Sequence, residues 1–171
     1  MLHVRTEGWA AGLRLAALAL RRTDDPAAFL TSFSGDERSV AEYLTEEILD
    51  GLITDTQDLL RVVSVCSPVP AALAAELSAR ADADRRLDEL HRETALIERT
   101  SPASYRIHPL LRSHLVADLA RLRPEVYRGA QAAAARWWFT HEDPVHALRH
   151  AERAGDRDLL AALVHRSGVP L

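Results

Sequence analysis

The chain has 171 residues, a formal net charge of −4 and a single cysteine. This length suggests one or two small domains, and a chain of this size buries roughly two-thirds of its surface on folding, enough for a hydrophobic core. Acidic residues are in slight excess and no block of like charge occurs, which argues against this segment gripping DNA or an anionic membrane.

The lone Cys66 excludes a disulfide framework and a cysteine-based metal site, as expected for a reducing compartment. No apolar run approaches the ~18 residues of a membrane span. Residues 1–7 also lack the apolar core of a signal peptide. We therefore expect a cytoplasmic protein that does not enter a membrane.

Helical signals dominate the first part of the chain. Apolar residues at helical spacing, including Trp9 and Leu13, predict a helix over residues 8–22, and further helices are predicted over 26–33 and 37–52. Residues 54–57 have capping character and open a helix with a wide apolar face, which Ser-Pro-Val-Pro at 67–70 stops. Helices over residues 71–80 and from Asp82 onward follow.

A hairpin then interrupts the helices. Residues 95–100 and 105–108 are typical of short strands, and Ser-Pro-Ala-Ser at 101–104 is typical of a turn. Pro109 is well suited to the first position of the next helix, where its missing N–H has no cost. Several helices, a hairpin and a helix are the layout of a winged-helix domain, with the hairpin as the wing.

His108 is the candidate functional residue, because it stands where a strand ends and a helix begins. Free amides and the positive end of the helix dipole make such a position a natural meeting point for an anion. The alternative is that His108 only fixes the junction by hydrogen bonding to the backbone.

The pattern changes after Pro124. An alanine-rich helix over residues 125–141 ends in Trp137, Trp138 and Phe139. Asp143 and Pro144 start a helix to Ala154, Gly155 suits its C-terminal end, and Asp156 caps a last helix to about residue 165. Paired helices with alanine at the contacts are similar to tetratricopeptide-type repeats.

Taken in this order, the segments resemble the MalT-type regulators, large ATP-binding LuxR-family transcription factors of the STAND class of nucleotide switches. Residues 6–16 (Thr-Glu-Gly-Trp-Ala-Ala-Gly-Leu-Arg-Leu-Ala) resemble the end of the helical lid of the nucleotide-binding module. Residues 105–112 (Tyr-Arg-Ile-His-Pro-Leu-Leu-Arg) resemble the winged-helix signature, and residues 133–163 resemble the start of the helical-repeat sensor domain.

The resemblance implies a mainly α fold: a winged-helix domain with a small β-hairpin, followed by tetratricopeptide-like helical hairpins. The implied domains are a lid end (1–22), a winged-helix domain (23–123) and the start of the sensor domain (124–171). It also implies that His108 senses the β-phosphate of ADP in the resting state, with Trp9 and Arg112 as nucleotide-proximal candidates.

The implied function is a coupling segment between the ADP/ATP state and an inducer-sensing repeat domain. ADP or ATP with Mg²⁺ would be held by the parent protein, because the segment has no GxxxxGK[ST] phosphate loop. The expected partners are the nucleotide-binding module and the downstream repeats, and no direct DNA binding is expected. No catalytic constellation is present, so we do not expect an enzyme. The alternative is a stand-alone helical interaction module without nucleotide dependence.

The other candidates have simpler alternatives. Arg112 is interpreted as an exposed residue or the partner of a carboxylate, and Trp9 as a packing residue. Trp137, Trp138 and Phe139 are interpreted as helix packing rather than an inducer site. Two further histidines, at 146 and 150, have the spacing of a helical metal pair but no third ligand.

Two remaining features concern burial. Cys66 is expected to be a buried, inert thiol. The last helix has apolar residues for which no covering helix follows, so we expect self-association through this end. These residues are Leu159, Leu160, Leu163 and Val164.

Overall fold

The computed structural model describes residues 49–94 and 96–166. The helices predicted over residues 8–22 and 26–33 lie outside these residues, as does all but the end of the one predicted over 37–52. The described part contains seven helices and three strands. In chain order they are α1 (Thr54–Val63), β1 (Val69–Pro70), α2 (Ala71–Ser78), α3 (Ala83–Glu93), β2 (Ile97–Ser101), β3 (Ser104–Ile107), α4 (Pro109–Leu122), α5 (Pro124–Thr140), α6 (Pro144–Ala154) and α7 (Arg157–Arg166). None of these helices is long and apolar enough to cross a membrane.

The predicted hairpin is confirmed, and a third strand joins it. β2 and β3 pair antiparallel, with Ile97 opposite Ile107. β1 pairs antiparallel with the other edge of β3, which places Val69 opposite Tyr105 and gives the order β1-β3-β2. The sequence analysis assigned residues 67–70 only the role of a helix stop. A strand of two residues has no periodic pattern to detect, and its partners in β3, Tyr105 and Ser104, lie far along the chain from it.

The winged-helix core fills the space between α1–α4 and the sheet. The predicted wide apolar face of α1 is confirmed, since Leu59, Leu60 and Val63 are fully buried. Its start differs from the prediction: Gln57 does not cap α1 but donates from Nε2 to the carbonyl oxygens of Leu49 (2.8 Å) and Leu52 (3.0 Å). Gln57 therefore closes the end of the preceding helix.

Helix α5 is shared by two hydrophobic clusters. Ala130 and Ala134 pack into the winged-helix core, whereas Ala135 belongs to a second cluster with residues of α6 and α7. Small side chains allow close approach of the helices on both sides. The winged helix and the helical hairpin formed by α5 and α6 are therefore packed together through one helix.

The predicted boundaries of α6 and α7 are confirmed by their caps. Asp143 Oδ1 accepts a hydrogen bond from the His146 backbone N–H (3.0 Å), and Asp156 Oδ1 accepts one from Leu159 N–H (2.9 Å). Gly155 ends α6 with a φ of 70°. Left-handed backbone of this kind favours glycine, which has no Cβ to clash.

The expectation of an open apolar face on α7 was wrong for Leu163. This side chain is buried against Ala135, Ala147 and Ala151, and Leu159 and Leu160 are half-buried against the same cluster. Because α7 packs back on α6, its leucines are covered largely within the described part of the chain.

Candidate functional site

The backbone of His108 is fixed between β3 and α4. Its N–H donates to the carbonyl oxygen of Leu96 (2.8 Å), and its own carbonyl accepts from the N–H of Arg112 (2.8 Å). Pro109 occupies the first position of α4, as predicted. His108 therefore holds the junction through its backbone, and its side chain is left for another role.

The imidazole of His108 makes no capping bond to α4. The ring is half-buried, and Nδ1 is buried without a hydrogen-bond partner among the described residues. Burial lowers the pKa of His108, which favours the neutral ring. The interpretation that this side chain only bonds to the backbone is therefore not supported by its geometry.

Arg112 is neither the exposed residue nor the partner of a carboxylate that its simpler interpretation required. It is half-buried, and its guanidinium donates to the carbonyl oxygens of Val65 (3.1 Å) and Cys66 (3.4 Å) rather than to a carboxylate. Burial lowers the pKa of Arg112, and the nearby positive charge of Arg153 acts in the same direction. Arg112 is thus one turn from His108, with its guanidinium tying α4 to the segment after α1. The third candidate, Trp9, lies outside the described residues.

The structure also brings together three buried polar residues that the sequence analysis did not connect. The thiol of Cys66 lies 3.8 Å from Nε2 of His150, and His150 Nδ1 lies 2.6 Å from Oε1 of Gln131. Cys66 and Gln131 are each 1% exposed and His150 is 4% exposed. Cys66 lies in the segment after α1, Gln131 in α5 and His150 in α6.

Burial sets the protonation of this group. It lowers the pKa of His150 to about 4 and raises the pKa of the Cys66 thiol to about 12. A neutral imidazole has one donor and one acceptor nitrogen. The amide oxygen of Gln131 accepts from Nδ1–H, which leaves Nε2 to accept from the Cys66 thiol. The sequence contained one usable signal, a glutamine within the alanine-rich buried face of α5.

His146, which has the helical spacing of a metal pair with His150, lies apart from this group. His146 Nδ1 is 2.7 Å from Asp143 Oδ2 at the start of α6, whereas His150 faces α5. No group of three or more metal-ligating side chains occurs in the part of the chain that the structure describes.

The aromatic residues at the end of α5 serve packing. Trp137 packs against the winged-helix core, Phe139 against the second cluster and Trp138 against both. Trp137 also stacks on His141, with ring centroids 3.6 Å apart. Their side chains thus point to different neighbours, as expected for adjacent helical residues.

A small three-stranded sheet on a helical core, continued by a helical hairpin, defines a winged-helix domain followed by further helices. Residues 45–127 match the family described as the MalT winged helix domain. The chain belongs to the MalT-type regulators, as the resemblance in its sequence implied.

Relatives match nearly the whole chain. The HTH-type transcriptional regulator MalT of Vibrio cholerae is 31% identical over 172 residues, covering 97% of this chain and 19% of that protein. MalT of Klebsiella pneumoniae is 30% identical over 161 residues, covering 90% of this chain and 17% of that protein. The serine/threonine-protein kinase PknK of Mycobacterium tuberculosis is 33% identical over 177 aligned residues, covering 99% of this chain and 16% of the kinase. The chain therefore spans less than a fifth of the length of these relatives.

Proposed function

We propose that this segment couples the nucleotide state of a MalT-type regulator to its helical-repeat sensor. His108 would contact the β-phosphate of ADP, which a nucleotide-binding module would hold, with Mg²⁺ accompanying ATP in the active state. When bound, the nucleotide supplies a fixed anion at the start of α4. The repeats that continue from α5 and α6 would receive the inducer, and a DNA-binding domain elsewhere in the regulator would carry out the response.

The observation that carries this proposal is the unpaired Nδ1 of His108. Buried polar atoms are almost always hydrogen-bonded, so an orphan nitrogen at a functional candidate needs a partner. A phosphate oxygen is a suitable acceptor for a neutral imidazole N–H, and the amides of the first turn of α4 favour an anion at the same place. Rotation of the ring about its side-chain bond would present the nitrogen to such a ligand.

Arg112 supports the proposal in a different way from the one that the resemblance implied. Its two bonds to the carbonyls of Val65 and Cys66 hold the first turn of α4 on the winged-helix core. We therefore assign it the positioning of the helix that follows His108 rather than contact with nucleotide.

Replacement of His108 in a regulator that contains this segment tests the proposal. A hydrogen bond to a charged group contributes on the order of 1.5–3 kcal/mol, which corresponds to roughly a 10- to 150-fold change in the balance of closed and open states. His108→Leu is therefore expected to lose co-purified ADP and to raise reporter transcription without inducer.

His114→Leu is the matched control. His114 lies in the same helix and its Nε2 is 3.4 Å from Asp118 Oδ2, away from the strand–helix junction. This variant should retain ADP and remain inducible. Unchanged ADP content and unchanged basal transcription in His108→Leu would contradict the proposed function.

A further inference from the structure

Four residues form a polar connection between the start of α4 and the helical hairpin, through their side chains and the backbone carbonyl of Cys66. We call it the buried polar chain: Gln131, His150, Cys66 and Arg112. It runs from α5 to α6 through the bond between Gln131 and His150, then to the Cys66 thiol, and from the Cys66 backbone carbonyl to the Arg112 guanidinium. Arg112 is one turn from His108, whose carbonyl accepts its backbone N–H.

This connection differs from the packing around it. The hydrophobic contacts of α5 with the winged-helix core are made by alanines and aromatic rings, and such contacts are not directional. A buried polar group, in contrast, costs free energy unless its partner stays within hydrogen-bonding geometry. The buried polar chain therefore allows few relative positions of α5, α6 and the segment after α1.

Burial keeps the polar chain in one proton arrangement. Burial first, and then the nearby guanidinium groups of Arg153 and Arg112, disfavour the imidazolium form of His150. Near neutral pH the ring therefore remains neutral, with Nδ1–H donating to Gln131 and Nε2 accepting from the thiol. A single arrangement of donors and acceptors is suited to defining one orientation of the helices rather than a range.

We propose that the buried polar chain is the joint through which the helical hairpin sets the position of α4 and hence of His108. His150 is the central positioning residue, because it contacts both α5 and the segment that Arg112 holds. A displacement of the repeats would break or re-form these bonds and so shift α4 relative to the nucleotide. This proposal rests on the coupling function proposed above, but the joint itself requires no nucleotide.

The rigidity of the joint can be measured in this chain by pulsed electron spin resonance. Arg92→Cys on α3 and Arg157→Cys on α7 place spin labels on exposed positions of the winged helix and the array. Cys66 is 1% exposed and its thiol pKa is raised to about 12, so labelling at that position should be slow. The background protein is expected to show one narrow distance distribution.

His150→Leu and Gln131→Met keep apolar bulk but remove the directional bonds, and each should broaden or shift the distance distribution. Leu73→Ala is the matched control, because Leu73 is fully buried in the winged-helix core and lies on α2, which carries neither a residue of the buried polar chain nor a spin label. It should lower stability and leave the distribution unchanged. If His150→Leu does not fold, Cys66→Ala, with Cys66→Ser as the donor-retaining rescue, decides the question instead.

If the His150→Leu and Gln131→Met variants fold and keep the distance distribution of the background protein, the proposal that the buried polar chain is a joint would be contradicted. The two proposals fail separately. If His108→Leu releases ADP in a longer regulator, but His150→Leu changes neither the distance between the labels nor ADP retention, only the proposal of the joint is wrong. If the distance distribution changes in His150→Leu but His108→Leu retains ADP, the proposal of the joint is supported and the nucleotide role of His108 is wrong.

Discussion

At the scale of single residues, His150 makes the stability of the fold depend on pH. Its pKa is lowered from 6.5 to about 4, chiefly by burial. Between these values the unfolded chain binds a proton at this residue that the folded protein does not bind. Lowering the pH through this range therefore lowers the free energy of unfolding.

From about pH 7 to about pH 5, the loss attributable to His150 should be about 2 kcal/mol. Urea denaturation at several pH values measures it. His150→Leu should weaken this pH dependence of stability. A smaller dependence in the same direction should remain, because the pKa of His108 is also lowered. Wild type and His150→Leu with the same pH slope would show that His150 is not held neutral by the fold.

At the scale of elements, two glycines allow a test of local backbone conformation with the same substitution. Gly155 ends α6 at a φ of 70°, and a Cβ there would meet no atom within 4 Å. Gly155→Ala should therefore destabilise the protein by about 1 kcal/mol through backbone strain alone.

Gly129→Ala is expected to stabilise the protein, in contrast to Gly155→Ala. Gly129 lies inside α5, where an added Cβ also has nothing within 4 Å. Alanine in a helix interior is favoured over glycine by about 0.5–1 kcal/mol, so this variant should melt at a higher temperature. Thermal unfolding of both variants, monitored by circular dichroism, makes the comparison. Changes of equal sign would argue against the assigned conformation of one of the two glycines.

At the scale of the whole molecule, the isolated 171-residue chain is expected to bind ADP and ATP only weakly. The phosphate contact of His108 would contribute on the order of 1.5–3 kcal/mol, whereas a micromolar dissociation constant requires about 8 kcal/mol. Titration calorimetry with each nucleotide tests this expectation. Micromolar binding by this chain would mean that it contains a nucleotide site that the phosphate-loop argument missed.

Within the part of the chain that the structure describes, signals that operate over a few residues were sufficient to predict most elements. The caps at Asp143 and Asp156, the C-terminal glycine at 155 and the proline at the start of α4 all lie next to the backbone groups that they serve. The hairpin around residues 101–104 was predictable for the same reason. The strand–helix position of His108 followed from the hairpin and the proline together.

Pairings between distant segments were decided only by the tertiary structure. β1 acquires its strand conformation from β3, Arg112 meets carbonyls 46 and 47 residues away, and His150 meets a thiol 84 residues away. The sequence around each of these residues does not indicate its partner, because the contact depends on how whole helices pack. Among the described residues, the sequence by itself determined the helices from residue 54 onward, the hairpin of β2 and β3, and the junction at His108. Packing across α5 decided which polar groups lie together, because burial allows such groups only where a partner of matching geometry is present.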